Sequence, residues 1–247
     1  SHGCANCYAE GLSKRFGESW GGWGKGAQRV MSKSWGDPMR WDAKASRIGA
    51  RPRVFPSLCD WFDEEVPIEW LVRFMATIIS TPHLDWLLLT KRPELWWRRI
   101  SDALAHVEGI TGRQWPDRDP KTDCGFMLNE WLAGNAPQNV WLGVSVEDQT
   151  RAEGRIPLLI GIPARLRWLS VEPLIGPVDL RPYAFGGFVH SPNCENEHCA
   201  LAEGPEDCSG LLIPGVDWVV VGGESGSKAR PCNVAWIRDI ADQCKPS

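Results

Sequence analysis

Residues 139–149 read NVWLGVSVEDQ and residues 165–174 read RLRWLSVEPL, and this pair of stretches carries the reading of the fold. Each begins as a short apolar run about as long as one strand, and each ends on the tripeptide Ser-Val-Glu. Continuous apolar runs of this kind suit a strand buried on both faces, as in a parallel sheet covered by helices. Three further runs share the character: RVFPSL (53–58), LDWLLLT (84–90) and DWVVVGG (217–223). Pro56 cannot donate to a ladder, so the first of them is expected at a sheet edge or at a bend.

Helical patterns lie between the runs. In VPIEWLVRFMATIIS, Pro67 suits a first turn, and Leu71, Phe74, Met75 and Ile78 share one side. PELWWRRISDALAHV repeats the design from Pro93, with Trp96, Ile100, Leu104 and Val107 aligned. NVAWIRDIADQCK offers Asn233 as an N-cap ahead of Trp236, Ile237, Ile240 and Cys244. Alternation of strand and helix predicts βαβ units and an α/β fold with a parallel sheet, either open and doubly wound or a (β/α) barrel. Two stretches interrupt the pattern. Residues 109–138, rich in Gly, Pro, Asp and Asn, read as a long loop or small insertion. Residues 181–215, which contain HSPNCENEHCALAEGPEDC, read as a second insertion in a single domain spanning 1–247. The Gly-rich SWGGWGKGAQ (19–28) follows no strand and reads as a surface loop, not as a dinucleotide fingerprint.

Composition narrows the function classes. The chain has 247 residues, 43% of them apolar, and a formal net charge of −4, which argues against holding nucleic acid through a generally basic surface. It contains no apolar run of about 18 residues to cross a membrane and no secretory pattern, so a cytoplasmic protein is expected. Nine cysteines, an odd number, point to metal binding or buried thiols rather than to a disulfide framework. Ser1 at the start and DQCKPS at the end read as the limits of a piece of a longer chain.

The residues with chemistry to offer cluster at the ends of the runs. Glu147, Glu172 and Glu224 each stand at or just past the C-terminal end of an expected strand. Strand periodicity puts Ser145 with Glu147, and Ser170 with Glu172, on a common side. In parallel α/β folds those ends build the site. Three converging carboxylates are expected to bind cations or donors; otherwise they cap helices or pair with arginines at the rim. LLLTKRPE adds Thr90, Lys91 and Arg92, which could hold a carboxylate or phosphate or form a solvated turn. Asp60 occupies the equivalent place one unit earlier, and Gly222 and Gly223 in GGESG let backbone N–H groups approach an anion.

Cys4 and Cys7, in SHGCANCYAEG, are two residues apart ahead of a helical pattern. The spacing suits half a zinc site, a redox dithiol or part of an iron–sulfur cluster. His190, Cys194, His198, Cys199 and Cys208 crowd the second insertion, where zinc could staple a segment too small for its own core, or where the thiols stay unpaired.

Taken in order, SHGCANCYAE, LLLTKRPE, NVWLGVSVEDQ, RIPLLI…RWLSVEPLIGPVDL and DWVVVGGESG…ARP resemble a phage- and prophage-encoded family of unknown function, described as radical-SAM-like and called a three-Cys-motif family. The resemblance implies a partial (β/α) barrel of radical SAM type. It also implies a [4Fe–4S] cluster held by three thiolates, Cys4 and Cys7 being the second and third, with the first expected before Ser1. The open iron would bind S-adenosylmethionine for reductive cleavage, with an external reductant as electron source. Glu147 and Glu172 would then accept from the cofactor's amino group or ribose, Lys91 or Arg92 would pair with its carboxylate, and Gly222 and Gly223 would line its adenine. Better-known radical SAM enzymes carry an aromatic residue directly before the last cysteine; here Asn6 stands there and Tyr8 follows. The substrate is open. KRPELWWRR (91–99) alternates basic and aromatic groups as nucleic-acid binders do, although Trp96 and Trp97 also suit a helix packing face. Two other readings remain: a cluster-free barrel hydrolase with a divalent metal on the strand-end glutamates, and a non-catalytic module stapled by zinc.

Overall fold

The computed structural model describes residues 3, 5–17, 21–109, 120–183, 188–189, 211–212, 215–225 and 228–245, the side chains of 120–123, 188–189 and 211–212 excepted. Two helices, α1 (Tyr8–Phe16) and α2 (Asp37–Ile48), precede the sheet. Then come β1 (Arg53–Val54), α3 (Ile68–Ile79), β2 (Asp85–Thr90), a 3₁₀ turn at Pro93–Leu95, α4 (Trp96–Gly109) and α5 (Pro120–Leu132). The second half runs β3 (Val140–Ser145), α6 (Gln149–Gly161), β4 (Leu166–Val171), the short β5 (Phe188–Val189) and β6 (Leu211–Leu212), β7 (Trp218–Val221) and α7 (Val234–Gln243).

Five strands pair in parallel in the order β1-β2-β3-β4-β7, and β5 and β6 form a separate antiparallel pair. Strand order that follows chain order means that the right-handed crossovers from β1 to β2, β2 to β3 and β3 to β4 lay α3, α4 with α5, and α6 on the same face. A sheet wound one way only curls, and the result is a parallel half-barrel with helices outside. The strand interiors show why. Trp86, Leu88, Val140, Leu142, Val144, Leu169 and Val171 join the core formed with α3–α6. The alternate residues face the concave side: Leu87, Trp141, Gly143, Ser145, Trp168, Ser170, Trp218 and Val220.

Local chemistry accounts for most boundaries. Asn233 caps α7, its side-chain oxygen accepting from the backbone N–H of Ala235 at 2.9 Å, and Asp148 caps α6 by accepting from that of Arg151 at 2.8 Å. Pro56 confines β1 to two residues at the edge of the sheet. The stretch 109–138 departs from expectation. Its second half is α5, where Cys124, Leu128 and Trp131 recur at i, i+4 and i+7 and are buried. Gly125 and Pro120 disguise that period in the sequence. In the fold, the bare Gly125 lets α5 approach Val107 and Leu104 of α4.

Candidate functional site

Backbone bonds carry the ladder one step past the strand ends and so fix the rim. The Val146 N–H donates to Ser170 O at 2.8 Å, the Ile175 N–H to Glu147 O at 3.1 Å, and the Leu174 N–H to Gly222 O at 2.8 Å. Glu147, Glu172 and Gly222 therefore stand side by side above β3, β4 and β7. Below them on the concave face, Ser145 and Ser170 are register partners and both are buried. One layer further down lies an indole floor. Trp168 spreads flat across Gly143, and a Cβ there would lie 2.4 Å from its Cε2. The Trp168 ring N–H donates to Trp141 O at 3.2 Å, and Trp218 and Phe55 pack beside it with centroids 5.7 and 5.9 Å away.

Glu147 is the centre of the rim. Its side chain is 0% exposed, one carboxylate oxygen taking Lys91 at 3.0 Å and the other Arg155 at 2.9 Å. Arg155, on α6, also donates to Ser145 O at 2.7 Å. A carboxylate so buried is tolerable because two cations and their hydrogen bonds replace water. Sequence reasoning missed Arg155 as a site residue: it opens the quoted stretch RIPLLI, but a helical arginine ten positions beyond the end of β3 carries no local sign of the carboxylate it meets. Next door, Asp60 accepts from the Thr90 hydroxyl at 2.8 Å and from Arg92 at 2.8 Å. At the far end of the rim Glu224 binds Arg230 through its backbone N–H (2.8 Å) and guanidinium, and accepts from the Asn6 amide at 3.1 Å. Chiefly because of the Arg230 guanidinium, the Glu224 carboxyl is lowered from the ordinary 4.5 to about 2. Glu172 is exposed and forms no ion pair among the described residues; a Cβ on Gly222 would lie 2.5 Å from its Oε1. Gly223 is exposed beside Cys232.

The amino-terminal loop crosses this mouth. A Cβ on the buried Gly3 would lie 2.4 Å from Glu147 Cγ, so only glycine lets the backbone rest on that carboxylate. With Asn6 tied to Glu224, the loop that carries Cys7 spans the rim from β3 to β7. Cys7 is a half-buried free thiol, and Cys4 lies outside the described residues. His190, Cys194, His198, Cys199 and Cys208 lie outside them as well. Among the described residues no group of three or more His, Cys, Asp or Glu could hold a metal ion. Of the three thiols that an iron–sulfur cluster would require, the described residues supply one, that of Cys7.

The basic and aromatic stretch 91–99 is otherwise engaged. Lys91 goes to Glu147, Arg92 to Asp60, Arg98 to Glu64, and the buried Arg99 to Val66 O at 2.9 Å. Trp96 packs against Trp131, whereas Trp97 and Arg98 are exposed.

Fold and site together define a parallel α/β half-barrel with a polar, ion-paired mouth at the carboxyl ends of its strands. The chain belongs to the family described as protein of unknown function (DUF5131), which matches residues 1–247. That assignment replaces the radical-SAM-like three-Cys-motif family suggested by the motifs: the family that matches is one of unknown function, and the described residues hold no cysteine-rich metal site. The motifs misled because glutamates and glycines at parallel strand ends recur wherever this architecture builds a mouth. No curated protein and no solved structure matches the chain. Among the described residues no helix is long and apolar enough to cross a membrane.

Proposed function

We propose that the protein is a cytoplasmic enzyme working at this mouth. In this reading it binds S-adenosylmethionine beside an iron–sulfur centre that the Cys4–Cys7 loop helps to hold, in a partial barrel of radical SAM type. The observation that supports it is the position of the loop. Gly3 rests on Glu147 and Asn6 is bonded to Glu224, so the loop that carries Cys7 lies at the same end of the sheet as the acidic residues. Such a centre, given an electron by an external reductant, supplies the electron that opens the sulfonium of S-adenosylmethionine. The chain's own part is to bind and orient. Glu172, exposed beside Gly222, is the carboxylate suited to the cofactor's amino group, while Glu147 serves as an internal clamp that fixes Lys91 and the loop. Ser145 and Ser170 offer hydroxyls between rim and indole floor.

A divalent-metal hydrolase is less well supported. Glu147 and Glu224 are charge-compensated by Lys91, Arg155 and Arg230, which leaves Glu172 as the one rim glutamate without a cation among the described residues. Anaerobic reconstitution of the full-length protein with iron and sulfide tests the proposal. The expected result is a brown protein that makes 5′-deoxyadenosine when reduced. Cys7→Ala should lose iron, and Glu172→Gln should keep iron while losing turnover. A colourless protein holding zinc alone, or iron content unchanged in Cys7→Ala, overturns it.

A further inference from the structure

The surface opposite in character to the acidic rim lies at the start of the chain. Residues 8–58 contain ten Lys and Arg against four Asp and Glu, a net of +6 in a chain of net −4. The same region is rich in exposed apolar groups. Nine of the thirteen exposed large hydrophobic side chains among the described residues fall between Tyr8 and Leu58.

Helix α2 organises these groups. Its inner side buries Pro38 and Ala45, and Asp42 accepts from the backbone N–H of His83 at 2.7 Å, which ties the helix to the loop entering β2. Its outer side carries Arg40, Lys44 and Arg47 at i, i+4 and i+7, about 6 and 4.5 Å apart along the axis. Trp41, 45% exposed, and Ile48 border this row. Arg40 pairs with Asp37 at the helix start, whereas Lys44 and Arg47 have no ion pair among the described residues. Lys33 and Lys25, exposed in the preceding loop, have none either, and Trp23 there is 43% exposed.

We propose that the outer face of α2, with the loop before it, binds single-stranded nucleic acid. A row of cations along one helix face tracks a phosphate backbone, and a tryptophan beside the row offers a stacking surface for unpaired bases. The cations occupy the middle of the exposed arc and the apolar side chains its margins. A helix lying in a lipid headgroup plane separates those groups onto opposite faces. The proposal is independent of the chemistry at the mouth and survives its failure.

Fluorescence anisotropy with a labelled oligothymidylate of about 20 nucleotides, across roughly 50–200 mM salt, tests it. Replacing Arg40, Lys44 and Arg47 together by Gln should flatten the slope of log K against log salt by about 2, since each lost single-strand phosphate contact contributes about 0.7. Trp41→Ala should weaken binding about fivefold or more at unchanged slope. Unchanged urea midpoints verify folding; should the triple variant be destabilised, Lys44→Gln alone still flattens the slope by about 0.7. Identical slopes in wild type and variants, absence of binding at the lowest salt, or capture by phosphatidylserine vesicles in place of the oligonucleotide overturns the proposal.

Discussion

Replacing Gly143 by Ala tests the architecture beneath the mouth. The added methyl would lie 2.4 Å from Trp168 Cε2 and 2.6 Å from both Cδ2 and Nε1. An ordinary carbon contact needs about 3.5 Å, so the indole must retreat by about 1 Å. It has little room to do so: Trp168 is 3% exposed and is flanked by Trp218 and Phe55. The retreat also stretches the bond from its ring N–H to Trp141 O, already 3.2 Å long. Overpacking costs about 1–3 kcal/mol, and the lost hydrogen bond adds about 1. We expect Gly143→Ala to destabilise the protein by about 2–4 kcal/mol in urea denaturation, with a changed near-ultraviolet circular dichroism signal. A double-mutant cycle locates the cause, since with Trp168→Leu already present the same methyl should cost less than about 1 kcal/mol. A single-variant cost under about 0.5 kcal/mol, or the full cost retained alongside Trp168→Leu, refutes the packing account.

Three further outcomes follow from the rim. Glu147→Gln removes the anion between Lys91 and Arg155 and should cost about 2–4 kcal/mol by urea denaturation, below the largest buried-pair effects because Lys91 is partly solvated. Gly3→Ala forces the loop off Glu147, and the expected sign is faster proteolysis between Gly3 and Tyr8 with the core's midpoint unchanged. For Glu224 the folded carboxyl titrates at about 2, below its ordinary 4.5, so it stabilises the fold above that ordinary value and loses the contribution as pH falls from there through about 2. Glu224→Gln should therefore flatten the stability curve across this acid window, and an unaltered curve would show that Arg230 and Asn6 do not hold it.

Legibility in the sequence followed the range of the interaction. Leu71, Met75 and Ile78 face the core as their spacing predicted, and Asn233 caps α7 as its position predicted, because both signals act within one or two turns. Residues 120–132 were misread because Gly125 looks like a loop residue until the neighbour it accommodates, α4, is in place. At the mouth the rim glutamates could be located from strand ends. Their states could not, since Arg155 and Arg230, although inside quoted stretches, meet Glu147 and Glu224 only once α6 and the loop after β7 are folded against the rim.

The amino-acid order by itself determined the parallel α/β class, the strand-end placement of Glu147, Glu172 and Glu224, and the helix faces, since period and run length are properties of a few consecutive residues. Tertiary structure alone decided that the sheet curls with one face indole-floored, that the loop before α1 lies across the rim, and that Glu147 is a clamped internal ion. Those outcomes depend on which distant side chains meet, and a buried charge settles on its partners only after the fold has excluded water from around it.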